Sequence, residues 1–189
     1  MIFGASTYKK QVVAHYAEIW KSKGVEVDFA KGPISDLPKE FTIVEFAPRA
    51  DRHMWTYATC CMSQESDKFP VELHMFSPEK SREIVELMVA VAHYHWTGVR
   101  LGLGDSVNFG KSWINESKCE YGLISLPYLD GPQLEDMKTK NGKCAKFYWL
   151  IPITKQEVEY KKIHGNEGLE ERLEAAGFNY VDPNRASVC

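Results

Sequence analysis

The sequence lacks several features, and each absence removes a class of function. Its first residues, Met1-Ile2-Phe3-Gly4-Ala5, do not have the basic-then-apolar layout of a secretion signal. The longest apolar run lies between residues 79 and 97. Glu83, Glu86, His93 and His95 interrupt it, so it does not read as a membrane span, and a cytoplasmic protein is expected. There is no basic surplus either: 23 Lys and Arg face 26 Asp and Glu, for a net charge of −3. Nucleic acid is therefore not an expected partner. The five cysteines are odd in number and none has C-x-x-C spacing, which argues against a disulfide framework or zinc ribbon and for a reducing compartment. Cys189 has no lipidation context. No Gly-x-Ser-x-Gly elbow occurs. Gly102-Leu103-Gly104-Asp105 has no Gly-Lys-Ser/Thr ending and follows a helix, so it is not a phosphate loop. Internal repeats and low-complexity segments are missing too.

What remains is ordinary globular material. A chain of 189 residues with 44% hydrophobic and 12% aromatic content can bury a core without staples. One domain over 1–189 is expected, with residues 1–40 adding an N-terminal helix and strand. Val12, Val13, Tyr16, Ile19 and Trp20 recur at helical spacing after a cap at Ser6 or Thr7. Strands are expected at Val25–Phe29, Phe41–Ala47, Met54–Cys61 and Val71–Phe76, the last three forming an antiparallel meander. Cys60 and Cys61 then point to opposite faces of their strand.

The organising stretch runs from Val71 to Gly110. Ser77 reads as the N-cap, with Pro78 at the first helical position, of a helix from Glu79 to about Thr97 that Gly98 ends. Ile84, Leu87, Met88, Val91 and His95 form one apolar face, and Val85, Val89, Ala92 and Trp96 an adjacent one. Two such faces predict burial on more than one side. Further strands are expected near Ser106–Phe109, at Tyr121–Leu126 and at Lys143–Ile153. The continuous apolar run of the last suits a central strand. Asn141-Gly142 is a type I′ hairpin signal. Thr154 with Glu157 makes a capping box for a helix that stops at Gly165, and a last helix spans Gly168–Ala176.

The chemistry-bearing residues leave more than one reading open. His93 and His95 are two apart on a helix and point about 200° apart, so they cannot chelate together as an i, i+4 pair would. A His74–His95 pair remains open, as does a small metal-dependent enzyme using His74, His93, His95 and Asp105. Without three convergent ligands, no metal or other cofactor is assigned. Glu116, Glu120, Asp130, Glu135 and Asp136 make either a solvated rim or a negative patch for a basic partner. Tyr128 sits in the turn Tyr128-Leu129-Asp130-Gly131-Pro132, where it is the best candidate for an exposed contact.

Together these segments resemble the suppressor-of-fused domain family. The resemblance rests on Val71-Glu72-Leu73-His74-Met75-Phe76-Ser77-Pro78, Ala92-His93-Tyr94-His95 with Thr97-Gly98, and Leu101-Gly102-Leu103-Gly104-Asp105. It continues in Ile124 to Pro132, Phe147 to Thr154, Glu157 to His164, Leu169 to Ala176 and Tyr180 to Arg185, covering the chain from about Phe41 onward. The short form looks like the bacterial branch. The resemblance implies an α/β (α+β) sandwich, with helices packed on a mixed, largely antiparallel sheet. It also implies a protein-binding module without catalysis. In animals the family sequesters zinc-finger transcription factors of the Hedgehog pathway, gripping an extended peptide partly by strand addition. In bacteria it implies an immunity protein against a polymorphic toxin. Gly104-Asp105 matches a Gly-Asp pair of the animal domain, whose peptide site also uses a second domain. The expected partner-binding residues are Asp105, Trp113, Tyr128, Asp130 and Gly131. A homo-oligomeric scaffold stays open beside this reading.

Overall fold

The computed structural model describes residues 7–29, 36–114 and 116–189. Helix α1 (Thr7–Trp20) leads to strands β1 (Val25–Val27), β2 (Thr42–Phe46), β3 (Trp55–Cys60) and β4 (Val71–Ser77). Helix α2 (Arg82–Thr97) follows, then β5 (Ser106–Asn108) and β6 (Cys119–Ser125). The short α3 (Pro132–Glu135) precedes β7 (Asp136–Lys138), β8 (Cys144–Thr154) and α4 (Lys155–Ala175). The strands make one sheet in the order β1-β2-β3-β4-β8-β6-β5, with β7 also paired to β8. Among the described residues only β4 and β8 run parallel and every other pairing is antiparallel, as the expected mixed sheet requires.

Alternation decides which helix covers which face. Ile43, Tyr57, Leu73, Met75, Tyr148 and Leu150 point to one side and pack with α2, whose buried residues include Ile84, Leu87, Met88 and Val91. Their neighbours point to the other side. There Val44, Phe46, Ala58 and Phe147 pack with Tyr8, Val12, Tyr16 and Trp20 of α1. Phe76, Leu123, Trp149 and Ile151 pack with Leu169 and Leu173 of α4. Strand β8 is buried from Phe147 to Thr154, the continuous apolar signature of a strand covered on both faces.

Several local expectations are corrected. Ser77 does not cap α2: it ends β4, fully buried, and its hydroxyl donates to the Glu79 carbonyl. Ser81 is the N-cap, accepting from Ile84 N, and Pro78 lies in the connecting loop before the helix. Cys60 and Cys61 do not alternate. The strand stops at Cys60 and Cys61 turns to φ 64°, so both side chains are buried in the α1 cluster with their sulfurs 4.0 Å apart. Asn141-Gly142 does not form a type I′ turn, since Asn141 is not among the described residues of positive φ. Instead Gly142 N donates to Thr139 O and Thr139 N to Lys143 O, with only Gly142 left-handed at φ 78°. That is a three-residue loop with the glycine at its end. The final helix resumes directly after Gly165, where φ 78° and ψ 178° break α4 into two limbs. The cap at Ser6 and the loop at Gly32-Pro33 lie outside the described residues, and Thr7 is already helical.

Candidate functional site

Past β6 the chain turns back to the sheet. Asp130 N and Gly131 N both donate to the Pro127 carbonyl, at 2.9 and 2.8 Å. Gly131 adopts φ 78° and ψ 178°, a conformation open to glycine alone. The turn is tethered from below. Arg52 donates to both carboxylate oxygens of Asp130, at 2.6 and 3.2 Å, and its Nε donates to Thr56 Oγ1. The guanidinium is held between the rings of Trp20 and Phe76, 5.1 and 4.9 Å from their centroids. The Asp130 side chain is only 4% exposed, so its charge is spent inside the molecule. His74 Nε2 lies 3.7 Å from Asp130. Burial lowers the His74 pKa to about 4; Asp130 opposes that shift and Arg52 adds to it, so the ring is neutral.

Tethering leaves the turn's other residues in solvent, with Tyr128 58% and Leu129 47% exposed. Tyr128 Oη donates to Glu170 Oε2 at 3.2 Å, and Ser125 Oγ donates to the other Glu170 oxygen. These bonds join the turn to the second limb of α4. Between limb, turn and sheet lies a trough of about 580 Å³. Trp149, Ile151, Leu173 and Phe178 give it an apolar floor, and Glu167, Glu170, Glu171 and Glu174 line its helical side. Trp149 packs edge-on against Tyr180 at 5.3 Å and tilted against Phe76 at 5.2 Å. Trp149 Nε1 is buried without a hydrogen-bond partner.

The expected site residues divide among three settings. Tyr128, Asp130 and Gly131 belong to the trough's turn. Asp105 is exposed and lines a different hollow of about 520 Å³, together with His95, Leu101, Gly102, Tyr148 and the cationic Arg100 and Lys146. Its carboxylate accepts from Gly102 N at 2.8 Å, which closes its own loop. Trp113 is 1% exposed within the core and its indole donates to Ser117 Oγ, so no surface is offered there.

The histidines do not converge. His74 faces α1, whereas its neighbour Leu73 packs on α2. His95, on α2, accepts from Leu101 N at Nδ1 and meets Ser63 Oγ at Nε2. The sheet therefore separates His74 from His95. Burial, with Arg100 beside it, lowers the His95 pKa to about 4. His93 sits 3.6 Å from Asp36. No group of three metal-ligating side chains comes together among the described residues. Of the five acids grouped in sequence, Asp130 pairs with Arg52, and Glu135 and Asp136 both pair with Lys146.

Sequence reasoning missed Arg52, Trp149 and the α4 carboxylates. Arg52 has no local signal, because its partner is 78 residues away. The carboxylates had one: Glu167, Glu170, Glu171 and Glu174 follow i, i+3, i+4, i+7 spacing and must share a helix face.

The model of the Suppressor of fused protein (SUFU) family matches residues 38–186. A SUFU homolog from Neisseria gonorrhoeae FA 1090 superposes with a TM-score of 0.84 at 30% identity, covering 96% of this chain and 97% of that one. The Sufu of a Sufu–Fu complex gives 0.69 at 18% identity, covering 96% and 92%. Drosophila Suppressor of Fused gives 0.72 at 16% identity; 96% of this chain matches about half of that one, 51%. No curated protein sequence matches. On the family match and the Neisseria likeness, this chain belongs to the suppressor of fused family.

Proposed function

We propose that residues 1–189 form one non-catalytic protein-binding module of the bacterial cytoplasm, an immunity protein that binds and neutralises a toxin. The observation that carries this reading is the trough beside α4. A trough with an apolar lining, flanked by an exposed Tyr128 and Leu129 on a turn fixed by a buried ion pair, is a pre-organised contact surface. The Sufu–Fu complex supplies a family precedent for gripping a protein. Edge strand β5 offers backbone pairing to an extended segment as well. The test is co-expression with the toxin encoded beside the gene. A co-purifying complex and restored growth are expected. An active toxin that neither binds nor is neutralised would defeat the reading.

A further inference from the structure

We infer that the α4 trough takes a short extended segment of a protein partner, one large apolar side chain flanked by lysine or arginine. The inference rests on the protein-binding reading and names the chemistry of what binds.

Two features converge on this occupant. The first is charge. Glu167, Glu171 and Glu174 are exposed, line the trough and have no ion-pair partner among the described residues. Glu170 between them accepts from the Ser125 and Tyr128 hydroxyls, and of the four only Glu170 has Lys161 near enough to attract it. The nearby cation, Lys161, is turned to the Gly104 carbonyl, and Arg172 lies over Tyr160. Like charges at i, i+4 destabilise a helix, so this stripe is kept at a cost that a cationic occupant would relieve. The second feature is the floor. Trp149, Ile151, Leu173 and Phe178 form an apolar seat in a volume that fits a large side chain and its backbone. Trp149, 3% exposed, lines that seat, so its indole resonance reports on an occupant.

Dimensions choose the backbone. Glu167 to Glu174 spans seven helical steps, about 10 Å. Three residues of extended chain cover about the same length. An apolar residue with basic residues on both sides therefore sets its charges opposite the stripe while its middle side chain reaches the floor.

The probe is a fluorescein-labelled peptide of two basic residues, phenylalanine and two basic residues. Controls replace the phenylalanine by glycine or the basic residues by glutamate. Anisotropy should report saturable binding by the full chain. Binding should weaken at least tenfold for either control and for the triple variant Glu167→Gln, Glu171→Gln, Glu174→Gln. These positions are exposed, so folding is preserved, and an unchanged unfolding midpoint checks it. In the 15N-labelled protein, the indole resonance that vanishes in Trp149→Phe should move on titration. Failure of the peptide to bind, or binding that the triple variant leaves intact, overturns the inference. So does self-association that the triple variant abolishes, because a second copy would then be the occupant. The toxin assay keeps the two readings apart: if the triple variant still protects fully, the trough inference fails and the immunity reading stands.

Discussion

At the scale of single residues, three buried ionisable groups set the pH response. Glu72 is fully buried; Thr59 Oγ1 and Met62 N donate to one oxygen and Tyr8 Oη to the other. Burial outweighs these bonds and raises its pKa from the ordinary 4.5 to about 7. The folded state thus holds this proton more tightly than the unfolded chain. Its contribution is greatest below pH 4.5 and is lost as pH rises toward 7, about 3 kcal/mol in all. His74 and His95 act oppositely: with pKa values lowered from 6.5 to about 4, they cost stability as pH falls through that window. Glu72→Gln keeps a carbonyl oxygen for Thr59 and Met62 but removes the titration. It should be relatively more stable than wild type at pH 8 and lose stability more steeply toward pH 4.5 in urea unfolding. Parallel profiles would refute the assignment. Glu157 offers a second residue-scale prediction. Arg185 donates to both its oxygens, at 2.6 and 2.7 Å, and both side chains are buried. Arg185→Met strands a buried carboxylate and should lose about 3–5 kcal/mol, read as a lowered urea midpoint. None of these partnerships was visible in sequence beyond Thr154 with Glu157, whose capping box is local and forms as expected.

Among elements, α4 is where local chemistry speaks most clearly. Gly165 sits at φ 78° and ψ 178° inside it, a conformation essentially closed to other residues. Gly165→Ala should lose about 1–3 kcal/mol in thermal or urea unfolding, although a new Cβ would meet no atom within 4 Å. Gly104 is fixed as glycine by φ +83°; the Asn166 side chain that a Cβ would meet can swing aside. Elements with strong periodicity were legible: α1, α2 and β8 lie where their apolar spacing put them. Boundaries set by hydrogen bonds were not. Ser77 and Ser81 are both reasonable caps by type, and only the extra paired residues of β4 decide between them. Strand β7, three residues with two charges, has no period to read; it exists because β8 supplies a partner edge.

The molecule as a whole separates what holds it together from what it shows to others. Tyr128 and Leu129 are exposed, while the Arg52–Asp130 pair beneath them is not. Tyr128→Ala with Leu129→Ala should therefore leave stability within about 1 kcal/mol of wild type. The same change should weaken partner binding at least tenfold in a titration, and an unchanged affinity would place the contact elsewhere. The turn was legible because Asp, Gly and Pro announce it. The trough was not, because Trp149, Leu173 and Tyr128 meet only after three separate segments pack. The same remoteness marks the centre of the sheet. Strand β4 pairs with β8 across 75 residues, Val71 with Lys146. A ribosome delivers the meander and α2 long before the segment that fills the middle. Until Cys144–Thr154 emerges, β4 carries a bare hydrogen-bonding edge, so the nascent protein waits half-built and open to wrong partners, and its assembly is paced by synthesis more than by collapse.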